Sequence, residues 1–313
     1  MTNRLIHCIL LFCFFVPISS SAGTYKKMFV FGDSLSDTGN LATLSLVSPE
    51  AAEFKYLNDK PYQKGFTNGP TAVVELVRLL NVPALTPALY FLNSISGTNF
   101  AVAGARAAGN DPIDLNTQVG AFLASQAGNA PGDAFYVLFI GGNDIRDMRD
   151  ALNIKSVTSI LQKATQNIRN NLSLLIASGA KHVMVVNSPD IGNLPETNLL
   201  AAKNPSLKRR ASLFTQAYNK SLADTVKHIE KHTDVDIVLF DVFTLFNKIV
   251  EDNRAMLFSN AKDACFSSVA LDYYPICDAT QIDAFVFFDE IHPTRRVHER
   301  VGRAMFALAP EAN

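Results

Sequence analysis

Transfer of an acyl group by a serine needs four things: a nucleophile, a base to take its proton, an acid that orients the base, and fixed donors for the oxyanion. Ser34 is the candidate nucleophile. It lies in Phe31-Gly32-Asp33-Ser34-Leu35-Ser36-Asp37-Thr38-Gly39-Asn40. The apolar run before it, Met28–Phe31, reads as a short buried strand, and the polar residues read as the turn leaving its C-terminal end. Ligand sites of open α/β sheets lie at that end. The same residue types also make plain turns and helix N-caps, so the stretch needs partners elsewhere in the chain.

The base should be a histidine in a loop. His182 opens a strand-like run and reads as structural. His228 and His232 stand four apart on a helical pattern, a metal-pair spacing, but no third ligand accompanies them. His298 falls on the last helical pattern and reads as solvated. His292 differs, because it sits in Asp289-Glu290-Ile291-His292-Pro293 between a Phe-rich run and that helix. Pro293 restricts the backbone of His292 and can start the helix. Asp289, three residues earlier, can fold back to accept from Nδ1 and leave Nε2 free for Ser34. Glu290 is the neighbouring alternative, and a surface helix cap is the plain one.

Two glycine-bearing stretches can supply oxyanion donors. Gly141-Gly142-Asn143-Asp144 follows the strongest strand pattern, Phe135–Ile140, and Asn143 can donate through its amide. Gly104 follows Thr98–Ala103 and offers an unobstructed N–H. The expected oxyanion set is therefore Ser34, Gly104 and Asn143. No metal or other cofactor is expected.

These residues must be carried by a suitable frame. Strand-like runs at Met28–Phe31, Thr98–Ala103, Phe135–Ile140, His182–Asn187 and Ile237–Asp241 alternate with helical patterns at Thr71–Leu80, Lys155–Ser178, Leu207–His232 and Arg295–Leu308. The alternation predicts an α/β fold of about five parallel strands with helices on both faces. Ser45–Pro70 and Asn253–Ala284 read as long connections near the site. There is no internal repeat or low-complexity segment.

Residues 1–22 are expected to be a cleaved signal peptide. Arg4 and His7 precede the apolar run Ile9–Val16, and Ser20-Ser21-Ala22 makes a small-residue cleavage site. The run is too short to span a bilayer. Residues 23–313 are then one domain, exported to the outside or to a periplasm. Arg4 is the one charged Lys, Arg, Asp or Glu in the leader, which leaves 27 Lys and Arg against 29 Asp and Glu. That balance argues against a nucleic-acid surface or a polybasic membrane patch. Cys265 and Cys277 are the cysteines left after cleavage, so in an exported protein a disulfide between them is expected.

Taken together, these blocks resemble the GDSL (SGNH) hydrolases, a family of serine esterases and lipases. The resemblance runs from about residue 28 to residue 297. It sets Ser34 as nucleophile, Gly104 and Asn143 as its oxyanion partners, and Asp289 and His292 as its Asp-x-x-His pair. Lys60–Pro70 resembles a further family segment, with Phe66 and Thr67 where an Arg and a Ser are common, and Asn187–Gly192 matches another. The family implies a three-layer, flavodoxin-like sheet of order 2-1-3-4-5 and no Gly-x-Ser-x-Gly elbow.

By analogy with the secreted bacterial phospholipase A, lysophospholipase and glycerophospholipid:cholesterol acyltransferase branch, the expected substrate is a lysophospholipid or phospholipid at a membrane or micelle surface. Acyl transfer is the close variant, and a carbohydrate or short-chain acyl esterase is the alternative. A different class of reading is a flavodoxin-like binding protein, with Gly32–Gly39 cradling a phosphate or nucleotide. It gives Asn143, Asp289 and His292 nothing to do. The 265–277 loop, rich in Phe, Tyr and aliphatic residues, is expected to gate the site and to be a target for an activating protease.

Overall fold

The computed structural model describes residues 25–92 and 95–310. The signal-peptide expectation falls on residues 1–22 and lies outside them. Four strands, β1 (Lys27–Gly32), β2 (Ala134–Phe139), β3 (His182–Val186) and β4 (Asp236–Phe240), form a parallel sheet in the order β1-β2-β3-β4. The register pairs Gly32 with Phe139, Phe139 with Val186, and Val186 with Phe240, so the C-terminal ends lie level. Every residue of β2 and β3 is buried. A parallel sheet buried in this way must be covered on both faces, which explains why these strands read as continuous apolar runs.

The cover comes from helices. α3 (Leu115–Ser125), α5 (Ile154–Ala177) and α7 (Ser206–His232) pack in a row, and α2 (Ala72–Leu80) pairs with α9 (Arg295–Leu308). α5 forms because Val157, Ala164, Ile168, Leu172 and Leu175 fall on one buried stripe, while the Asn153 side chain caps its start through Ser156 N–H at 2.9 Å.

The fifth expected strand is corrected. Thr98–Ala103 runs beside β1 and shares three backbone hydrogen bonds with it (Val30 N to Thr98 O, Phe100 N to Val30 O, Val102 N to Gly32 O), but it makes only isolated bridges, Val30–Asn99 and Pro87–Asn99. Its outer edge is met by the Thr86–Ala88 backbone, with Ala88 N–H donating to Asn99 O, and by the Asn40 side chain, whose Nδ2 donates to Asn99 O and Ala101 O, both at 2.8 Å. The buried Asn99 side chain turns back to Ser36 O and Thr38 Oγ1.

The expected connection at 45–70 is also partly helical. α1 (Asn40–Val47) runs into it, followed by a 3-10 helix over Pro49–Asn58. Short helices complete the frame: α4 (Gly142–Asp150), α6 (Pro195–Ala201) and α8 (Val242–Glu251). Beyond them β5 (Asn260–Ala264) pairs in parallel with β8 (Phe285–Phe287), and β6 (Phe266–Ser267) and β7 (Asp272–Tyr273) make a small hairpin. Cys265 and Cys277 are disulfide-bonded at its base.

Candidate active site

Ser34 leaves the end of β1 on a tight turn that only glycine allows. A Cβ on Gly32 would lie 2.3 Å from Phe139 O. Next to it, the Asp33 carboxylate accepts from Leu35 N–H at 3.1 Å, and its burial pushes its pKa up to about 6.

The expected base and acid meet the serine. Asp289 is 1 % exposed and folds its own turn, its Oδ1 accepting from Ile291 N–H at 2.9 Å and His292 N–H at 2.7 Å. His292 Nδ1–H donates to Asp289 Oδ1 at 2.8 Å and lies 2.9 Å from Oδ2. With Nδ1 committed, Nε2 is the acceptor, and Ser34 Oγ stands 2.8 Å from it. Glu290 is corrected as the alternative acid. Its carboxylate points to the hairpin and accepts from Ser268 N–H at 3.0 Å, Ser268 Oγ–H at 2.7 Å and Tyr274 O–H at 2.7 Å. The Phe66 ring packs on the His292 ring at 4.7 Å, and Thr67 Oγ1 donates to Pro293 O at 3.0 Å.

The expected oxyanion donors border one groove together with Ser34 and His292. Among the described residues, neither Ser34 N–H nor Gly104 N–H is spent on an internal hydrogen bond. Asn143 begins α4 after Gly141, whose φ is +121° and where a Cβ would lie 2.1 Å from Tyr218 Oη. Its Nδ2 donates one hydrogen to Ala105 O at 3.0 Å, and the second is free.

Several supporting residues went unread in the sequence. Asp37 accepts from Gly39, Asn40, Leu41 and Ala103 N–H groups, and Asp144 accepts from Ala107 and Ala108 N–H groups. These two buried carboxylates pin both ends of the segment that carries Gly104. Burial pushes both of their pKa values up, that of Asp144 to about 7. Arg146 Nη1 donates to Asn143 Oδ1 at 3.2 Å and is itself held by Glu196, whose carboxylate also takes Arg149. Arg146 stands three residues after Asn143 on one helix, a spacing that could have revealed it. Glu196 N–H donates to Glu290 O at 2.8 Å, which ties this ion cluster to the Asp289–His292 turn.

The other histidines lie apart from this chemistry. His182 is buried, with Nδ1 3.0 Å from Asp236 Oδ2. His228 and His232 stack at 4.3 Å on the exposed face of α7, and no metal-ligand cluster occurs among the described residues. His298 is corrected from solvated to buried: it is 3 % exposed, and its Nδ1 accepts from Ala72 N–H at 3.2 Å. The apolar face of α9 is wide enough to include it.

Ser34 stands between two cavities. A groove of about 640 Å³ is lined by Leu41, Leu44, Phe54, Phe66, Phe91 and Ile113, with Ser48, Glu50, Arg106, Asp111 and Arg146 among its polar exceptions. A narrow pocket of about 50 Å³ lies on the other side. No residue of the 265–277 loop lines either one, so here the loop does not cover the site; it meets the Asp289–His292 turn through Glu290 and through the Phe266 ring, which packs on Tyr62, whose O–H donates to Asp289 Oδ2 at 3.5 Å.

Residues 28–305 match the GDSL-like lipase/acylhydrolase family. Among relatives, the chain is 23% identical to inactive GDSL esterase/lipase-like protein 25 of Arabidopsis thaliana, over 97% of this chain and 76% of that protein. It is 26% identical to GDSL esterase/lipase At3g53100 of the same plant, covering 93% of this chain and 92% of that one. It is 28% identical to the thermolabile hemolysin of Vibrio parahaemolyticus, over 90% of this chain and 63% of that protein. Among solved structures, an acetylxylan esterase mutant from Geobacillus stearothermophilus aligns with a TM-score of 0.47 at 15% identity, over 91% of this chain and 94% of that one.

Proposed function

The chain belongs to the GDSL-like lipase/acylhydrolase family, and from that premise we propose that it is a carboxylic ester hydrolase acting through an acyl-Ser34 intermediate on long-chain acyl esters, lysophospholipids first among them. The observation that carries the chemistry is the continuous contact Ser34–His292–Asp289 beside two unspent backbone N–H groups. His292 Nε2 takes the Ser34 hydroxyl proton as Oγ attacks the ester carbon. The carbonyl electron pair moves to oxygen, where Ser34 N–H, Gly104 N–H and Asn143 Nδ2 donate. The pair returns, the ester C–O bond breaks, and His292 hands its proton to the leaving alkoxide. Water then repeats the sequence, releasing the acid and restoring Ser34. An alcohol in place of water gives acyl transfer.

The long apolar groove supports a long acyl chain over an acetyl group. A lipid surface as the place of action and export by way of residues 1–22 belong to the same proposal. Two relatives carry the word inactive in their names, whereas here all three residues of the relay are in contact.

A fluorophosphonate probe should label Ser34 and nothing in Ser34→Ala. Labelling of another serine refutes the mechanism. Lysophosphatidylcholine, a p-nitrophenyl butyrate and an acetylated xylo-oligosaccharide compared side by side decide the substrate. The highest kcat/KM is expected on the first, and a preference for the sugar ester replaces the lipid reading with the carbohydrate one.

A further inference from the structure

The narrow pocket behind Ser34 has no part in the account so far. Its walls are apolar, formed by Phe139, Ile191, Leu194, Val242, Phe246 and Val301, and Ser34, Asn143 and His292 stand at its mouth. At about 50 Å³ it has room for a handful of heavy atoms, since one water needs about 10–15 Å³ of such space. Asp33 and Arg146, neighbours of Ser34 and Asn143, also line it, and α9 contributes one polar side chain, His298, which is 3 % exposed. Its Nδ1 accepts from Ala72 N–H, so in the neutral ring the hydrogen is on Nε2. Among the described residues Nε2–H has no partner. A largely apolar pocket into which His298 offers a neutral donor suits a short arm that bears a neutral oxygen.

Which side of the ester enters follows from volume. A long acyl chain fits only the groove, where Gly104 also lies; the alcohol side is left with the pocket, next to the His292 that must protonate it. We propose that the pocket binds the alcohol arm of the substrate and that His298 Nε2–H recognises a free hydroxyl on the carbon next to the ester-bearing carbon. This rests on the long-chain ester reading above. In a monoacyl ester of a small diol that hydroxyl is free; where it carries a second acyl chain, a pocket of about 50 Å³ does not admit it. The pocket therefore acts as a selector for monoacyl over diacyl substrates.

The test uses esters of one fatty acid with three alcohols: methyl, propyl and 2-hydroxypropyl. The wild-type protein should favour the 2-hydroxypropyl over the propyl ester by roughly tenfold in kcat/KM, the worth of one neutral hydrogen bond in a dry site. His298→Phe, which keeps a ring and loses the donor, should bring that ratio to about one. Because His298 also caps α2, the ratio is read rather than the absolute rate. Val301→Phe, which narrows the pocket without touching the donor, should lower the propyl-to-methyl ratio. A wild-type hydroxypropyl-to-propyl ratio near one, an unchanged ratio in His298→Phe, or an unchanged propyl-to-methyl ratio in Val301→Phe each overturns the assignment. Failure on lysophosphatidylcholine with the simple-ester ratios intact would remove the lipid reading alone and leave the pocket assigned.

Discussion

The residues proposed to do the chemistry were legible because chemistry restricts their types. Ser34, Asp289 and His292 could be picked out from turn context and from the need for an acid, a base and a nucleophile, and the structure brings the three together. The residues that hold them were not legible, since Arg146, Glu196 and Asp37 act through partners distant in sequence or through burial that no local pattern reveals. Asn143 shows the difference. Its amide type was readable, while the Arg146 bond that fixes which way the amide faces was not. Asn143→Ala should lower kcat by about 10²–10³ with little change in KM, the usual effect of losing one oxyanion donor. Arg146→Ala should lower kcat several-fold. If Arg146 works by holding Asn143, it should have almost no effect in an Asn143→Ala background. Full additivity in that double-mutant cycle would mean that Arg146 acts on the substrate directly.

Among elements, length and periodicity decided what could be read. The long helices α5, α7 and α9 fall within two residues of their expected spans because each repeats its apolar stripe over several turns. α1, α3, α4, α6 and α8 were missed: each is seven to eleven residues long, too short to repeat an apolar stripe over several turns, and α4 is mostly polar sequence organised by the site. Thr98–Ala103 has strand composition, yet its outer partners are the short Thr86–Ala88 stretch and the Asn40 side chain, so it pairs only through isolated bridges. His298 was misread because one polar residue on a mostly charged helix looks like a solvated one. Its burial gives a pH-dependent term. Burial, and then the charge of His292, push the His298 imidazole down to about 3. The unfolded chain binds this proton near pH 6.5, and the folded chain does not until about pH 3. Between those values the unfolded state holds the extra proton, so this group makes the fold lose up to about 1.4 kcal/mol per pH unit as pH falls. In His298→Phe that loss is absent. The stability gap between wild type and variant, from urea unfolding, should therefore shrink from pH 7 to pH 4. A constant gap would show that His298 titrates alike in both states.

For the whole molecule, the α/β class and the parallel order were readable from the alternation of elements, but the place of the disulfide hairpin was not. It lies beside Glu290 and not over the groove, a relation set by packing across distant segments. Replacing Cys265 and Cys277 by serine should lower stability by at most about 3 kcal/mol, the chain-entropy value for so short a loop. It should also lower kcat more than it raises KM, because Ser268 and Tyr274 would hold Glu290, and through it the Asp289 turn, less firmly. An unchanged kcat with reduced stability would make the hairpin a staple only. The proposed nucleophile and base come from opposite ends of the fold: Ser34 and His292 are 258 residues apart. Ser34 is made early and sits at the end of the first strand, but the imidazole that activates it emerges from the ribosome only after all four sheet strands. A chain still in synthesis thus carries an inert serine. On the proposed mechanism the fold has a built-in delay, and reaction would begin only when the closing turn has brought His292 to Ser34.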